Sequence, residues 1–119
     1  AVTCMEGIMN RFPNGVAIIC ANNDDMAMAA ARVARENAAY KNTIFLGFDG
    51  QQAACESVLN GELSMTAAQN SYDIGYKAVE TIVKILQGET VDKFVDTGTE
   101  IVTKDNAQDR IDRLNSYLK

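Results

Sequence analysis

The apolar positions of this chain change period several times, and each change marks an element. Val2, Met5, Ile8 and Met9 recur at helical spacing over roughly residues 1–11. Pro13-Asn14-Gly15 then turns the chain. Val16 to Cys20 is a short continuous apolar run, as expected of a strand covered on both faces in a parallel sheet. Asn22-Asn23-Asp24-Asp25 reads as a helix start: asparagine caps free amides, and acidic residues suit the positive end of the dipole. The alanine-rich pattern from about 24 to 39 predicts a helix lying close to the sheet. Thr43 to Phe48 predicts the second strand, and Gly50 permits a tight turn behind it. A helix then runs to about Asn60 and is stopped by Gly61.

Ser64 to Ala68 predicts the third strand. A helix over 71–87 places Ile74, Ala78, Ile82, Val83 and Leu86 on one face, and Gly88 ends it. Phe94 to Val102 is extended, a fourth or edge strand. Asp105 and Gln108 have capping-box spacing before a last helix over about 106–118. Strict alternation of helix and strand implies right-handed crossovers. The fold class expected is α/β, a parallel-sheet three-layer sandwich.

Three polar residues stand out against this pattern. Asn23 follows the first apolar strand, Asp49 the second and Gln69 the third. In a parallel sheet all three gather along the carboxyl edge, where open α/β sheets bind ligands. Asn23 has an ordinary structural use as a helix cap, and aspartate often caps or turns. Glutamine is not a favoured cap, so Gln69 is harder to explain structurally. A carboxylate flanked by two amides suits neighbouring hydroxyls, which both donate and accept. Tyr72, close to Gln69 in sequence, is a further candidate as an aromatic platform, whereas strand alternation sends Phe48 away from Asp49 and into the core.

Composition narrows the chemistry. The 119 residues predict one domain able to bury a core unaided. Net charge is −5, from 11 basic and 16 acidic residues, with no basic cluster to neutralise phosphates, so no nucleic-acid partner is expected. The absence of histidine removes the usual general base and the commonest metal ligand. There is no phosphate loop, dinucleotide fingerprint or nucleophile elbow. Asp24-Asp25 more often starts a helix than binds a cation. No enzyme activity, catalytic residue, metal or cofactor is therefore expected. Cys4, Cys20 and Cys55 lack C-x-x-C spacing and read as buried free thiols, which leans toward a reducing compartment or an anaerobic source. The opening Ala1-Val2-Thr3-Cys4-Met5 has no signal-peptide pattern and reads as the middle of a helix.

These residues carry a family resemblance. Val16-Ala17-Ile18-Ile19-Cys20-Ala21-Asn22-Asn23-Asp24-Asp25-Met26-Ala27 resembles the N-D-x-M-A segment of type I periplasmic sugar-binding proteins. Gly47-Phe48-Asp49-Gly50 matches the G-F-D-G that follows in that family. Ala68-Gln69, then Ile74-Gly75-Tyr76-Lys77-Ala78, is similar to its next segment, and Val102-Thr103-Lys104-Asp105-Asn106 to its closing one. The ribose/galactose-type substrate-binding proteins of ABC importers are the nearest group.

The resemblance implies a monosaccharide or polyol ligand held by Asn23, Asp49 and Gln69, an ABC permease as partner, and a parent protein that is periplasmic or extracellular and lipid-anchored. It covers only the carboxy-terminal part of such two-lobed proteins. Residues 1–70 would be the core of the carboxy-terminal lobe, and 71–119 the inter-lobe crossover helix, a strand and the terminal helix. The 71–87 helix would then lack its usual packing partner, which points to a homodimer of the isolated chain through that face. An alternative is the effector lobe of a LacI-type regulator, which shares the fold. A phospho-acceptor receiver fits worse, because its acceptor follows the third strand and Asp49 follows the second.

Overall fold

A computed structural model describes residues 1–118. Its elements in chain order are α1 (Val2–Arg11), β1 (Ile18–Cys20), α2 (Asp24–Ala34), β2 (Ile44–Asp49), α3 (Gln52–Leu59), β3 (Met65–Gln69), α4 (Ser71–Leu86), β4 (Thr99–Val102) and α5 (Ala107–Ser116). The strands form one sheet in the order β1-β2-β3-β4. The α/β alternation read from the sequence is present, with shorter elements. In particular α2 stops at Ala34, and a 3-10 turn at Ala38–Tyr40 follows, capped by the Asn37 side chain accepting from Ala39 N.

β1, β2 and β3 are parallel, in the register Cys20↔Leu46 and Leu46↔Met65. β4 is antiparallel to β3, with Gln69 opposite Thr99. The expected wholly parallel sheet is corrected here. The chain leaves the sheet at the carboxyl end of β3 and returns at that same end, so the returning strand has to run the other way. The capping box is also not formed: Asn106, not Asp105, is the cap residue of α5, and its side chain accepts from Thr103 N and donates to Ile101 O.

Strand alternation sorts side chains onto two unlike faces. Phe45, Thr66, Ala68 and Val102 point to one face and are buried beneath α2, α3 and α5, with α1 packed on α2 through Met5. Ile18, Ile44, Phe48 and Ile101 point to the other face and are exposed. Among the described residues only one of the two helix layers of a sandwich is present. Phe48 does point away from Asp49 as expected, but onto this open face and not into a core. Cys4 and Cys20 are likewise exposed, and only Cys55 is buried, so the reading of three buried thiols is corrected.

α4 stands apart. Its 16 residues include none that is buried, and Ile74, Ile82 and Leu86 are all exposed. The radius of gyration is 18.1 Å, against about 13.5 Å for a compact domain of this length. The molecule extends 60 Å along its longest axis. The excursion from Ser71 to Gly98 accounts for this elongation, because it buries almost nothing between leaving and rejoining the sheet.

Candidate functional site: the carboxyl edge of the sheet

The sequence-predicted residues occupy the carboxyl ends of the three parallel strands. Asp49 and Gln69 are the last residues of β2 and β3 rather than residues just beyond them. Gln69 Nε2 donates to Asp49 Oδ1 at 2.7 Å, so the two side chains form a tethered pair. Asn23 caps α2, its Oδ1 accepting from Met26 N at 2.9 Å. The cap uses the oxygen and leaves the amide nitrogen to point a donor elsewhere. With strands spaced ~4.8 Å apart, the three strand ends span roughly 10 Å, comparable to a sugar ring with its hydroxyls.

The backbone beneath the pair is strained. Asp49 has φ 121°, the one non-glycine residue with positive φ among those described, and Gly50 follows at φ 72°. Strain of this kind persists only where surrounding contacts over-determine it. Asp24 supplies several of them. It is fully buried at the first turn of α2, and its Oδ2 accepts from Gln51 N at 2.8 Å. Its Oδ1 accepts from the Thr66 hydroxyl at 2.6 Å, and Thr66 Oγ1 in turn accepts from Gly50 N at 3.2 Å. One carboxylate therefore links the segment beside Asn23, the turn after Asp49 and the middle of β3. Burial pushes the Asp24 pKa above the ordinary carboxylate value, while the bonds from Thr66 and the Gln51 backbone oppose that rise.

Asp24 was legible only as a helix start. A sequence signal for its role does exist in Gly47, a glycine inside a strand, which marks a close approach. A Cβ at Gly47 would overlap Asp24 Oδ1. Arg110 was missed altogether. It reaches from α5 under the same edge, with Nη2 donating to Gln69 O at 2.7 Å and Nε to Gly50 O at 3.4 Å.

Tyr72 lies one residue into α4 and stacks on Tyr117, with centroids 4.4 Å apart, and more loosely on Tyr76 at 6.3 Å. A groove of about 780 Å³ runs along α4 past Tyr72, Tyr76, Val79 and Val83. Its exposed surface is mainly apolar, although Glu80, Lys84 and Gln87 also line it, and it follows α4 without including Asn23, Asp49 or Gln69. A smaller cavity of about 150 Å³ borders the point where β3 and β4 meet, lined by Asn70, Thr99, Glu100 and Arg110.

Chemically the edge offers one carboxylate and two amides. It can accept from hydroxyls and donate to them.

Comparison with known proteins agrees with the fold. Residues 1–90 match the periplasmic binding protein domain family. The chain is 35% identical over 100 residues to the ribose import binding protein of Escherichia coli, covering 84% of this chain and 33% of that protein. It is 34% identical over 83 residues to the D-allose-binding periplasmic protein of the same organism, covering 70% and 26%. Among solved structures, an ABC transporter solute binding protein from Mycobacterium smegmatis with bound glycerol superposes with a TM-score of 0.79 at 34% identity, over 91% of this chain and 37% of that one. One from Bacillus halodurans with bound myo-inositol gives 0.82 at 27% identity, over 94% and 38%. The chain thus spans about a third of the length of the curated relatives it matches. With the family match extending from α1 through α4, the chain belongs to the periplasmic binding protein domain family.

Proposed function

We propose that this chain provides one wall of a monosaccharide- or polyol-binding cleft in the solute-binding component of an ABC importer. The observation that carries the reading is the Asp49–Gln69 pair on a strained strand end, with Asn23 aligned beside it. Asp49 accepts from two neighbouring hydroxyls, and the Asn23 and Gln69 amides donate to others. Tyr72 is the weaker contact, since its ring stacks on Tyr117. The similarity to a ribose import binding protein and a D-allose-binding protein, and the glycerol and myo-inositol in related structures, support this ligand class. They also favour import over a LacI-type regulator. On this reading the protein is not an enzyme and works with an ABC permease. It is periplasmic, or extracellular and lipid-anchored.

Residues 1–70 act as the core of one lobe, and α4 crosses toward a second lobe that would close the cleft. Magnitudes then limit what the chain does alone. Three such side chains supply roughly 3–6 kcal/mol, against association costs of at least ~4 kcal/mol, whereas micromolar binding needs ~8 kcal/mol. The isolated chain binds sugar at millimolar strength, at or below what calorimetry detects, and its α4 face pairs with a second copy. Calorimetry with ribose, galactose and inositol tests this, and micromolar affinity in the isolated chain would defeat it.

A further inference from the structure

We propose that Arg110 is the positioning residue of this edge: its buried guanidinium holds the Asp49-Gly50 turn and the end of β3 at the separation that lets Asp49 and Gln69 meet a ligand together. The inference rests on the polyol-binding reading above and names the residue that sets the geometry of the site.

Arg110 is 5% exposed, an unusual position for a charged side chain. Burying it demands partners, and each partner lies where the site needs support. Nη2 donates to the carbonyl of Gln69, and Nε to the carbonyl of Gly50, the residue after strained Asp49. Nη1 stands 3.7 Å from Glu100 Oε2, on the strand that returns from the α4 excursion. Arg113 also pairs with Glu100 and lies on the outside of the helix, 44% exposed.

The guanidinium therefore braces two backbone segments and pairs with a side chain from a third. The two carbonyls it holds belong to the pair of strand ends whose side chains are bonded to each other above. A planar fork of donors bridges two carbonyls at once, whereas an ammonium is a point charge that serves one of them well. The polar contacts of Arg110 are to Gly50 O, Gln69 O and Glu100, not to the side chains of Asn23, Asp49 or Gln69. Its influence passes through the backbone it fixes.

Arg110→Met, Arg110→Lys and Arg113→Met test this in the chain. The readouts are thermal melting, and the side-chain amide signals of Asn23 and Gln69 in heteronuclear NMR, with and without ribose. Arg110→Met, recorded at a temperature where it is folded, shifts the Gln69 side-chain amide toward the position of a free amide. It also weakens the ribose response about tenfold, the worth of one hydrogen bond. Arg110→Lys falls between Met and wild type, and Arg113→Met keeps both signals whatever it does to melting. If Arg110→Met does not fold, Arg110→Lys decides the matter through the same Gln69 signal. A folded Arg110 variant with wild-type Gln69 signal and ribose response would overturn the proposal and leave Arg110 as a fastener of α5 alone. Absence of any ribose response in wild type counts against the polyol reading, while the Gln69 amide signal still decides the role of Arg110.

Discussion

α2 and α4 are written in the same amphipathic language and end in opposite environments. α2 has 11 residues, six of them buried against the sheet and α1. α4 has 16 residues and buries none. The apolar stripe on α4 is no weaker, since Ile74, Ile82 and Leu86 recur at helical spacing and all lie open. The difference teaches that amphipathicity announces a partner without supplying one. The sheet repeats the lesson, with one face under helices and the other carrying exposed Ile18, Ile44 and Ile101.

The contrast is open to test with paired substitutions. Leu63 is 1% exposed and Leu86 is 81% exposed. Leu63→Ala should cost about 2–5 kcal/mol of folding stability, and Leu86→Ala no more than ~0.5 kcal/mol. Urea denaturation at a concentration where the chain is monomeric measures both, and equal losses there would mean that α4 packs within the chain itself. Glycines give a second pair. A Cβ at Gly50 would overlap the Cβ of Ala68 and lie 2.6 Å from its Cα, at a backbone φ of 72°. Gly50→Ala should cost about 2–4 kcal/mol through overpacking and left-handed strain. Gly75 has nothing within 4 Å of an added Cβ, so Gly75→Ala should stabilise α4 by about 0.5–1 kcal/mol. Melting curves with the same sign for both alanines would erase the distinction between the two regions.

The smallest effect is in pH dependence. Burial raises the pKa of Asp24, so the folded state takes up a proton above 3.8, the ordinary value, where the unfolded chain does not. The contribution of this group to stability therefore grows as pH falls through its raised pKa. Glu62 behaves oppositely. The hydrogen bond from Arg35 lowers its pKa below 4.5, and its contribution is full above that value and lost as pH falls through the lowered one. Asp24→Asn removes the first effect and keeps the second. The stability of wild type relative to Asp24→Asn should then increase on acidification, and parallel pH profiles would contradict the burial argument.

Local pattern made much of this legible. The three parallel strands, the cap at Asn23 and the apolar stripe of α4 all follow from spacing that needs no knowledge of the rest of the fold, whereas the missing partner of that stripe was implied only by the family resemblance. What escaped depends on long-range placement. An extended run such as Thr99–Val102 looks the same in either direction, and only the return of the chain to the edge it left makes it antiparallel. The apolar run at Val16–Cys20 looks the same whether its outer face is covered or bare. Arg110 sits in Asp109-Arg110-Ile111-Asp112-Arg113, which reads as a solvated helix face until α5 packs on α3. Asp24 hid behind its ordinary value as a helix-starting acid. The candidate site was legible as a row of three side chains, but the buried groups that hold the row in place were not.

The most direct test is a ribose titration of the uniformly ¹⁵N-labelled chain followed at the side-chain amides of Asn23 and Gln69. Both signals should move together and saturate with a millimolar dissociation constant, and Asp49→Ala should abolish the movement. Saturation at micromolar ribose, or a response that survives Asp49→Ala, would contradict the assignment of this edge as one wall of a sugar cleft.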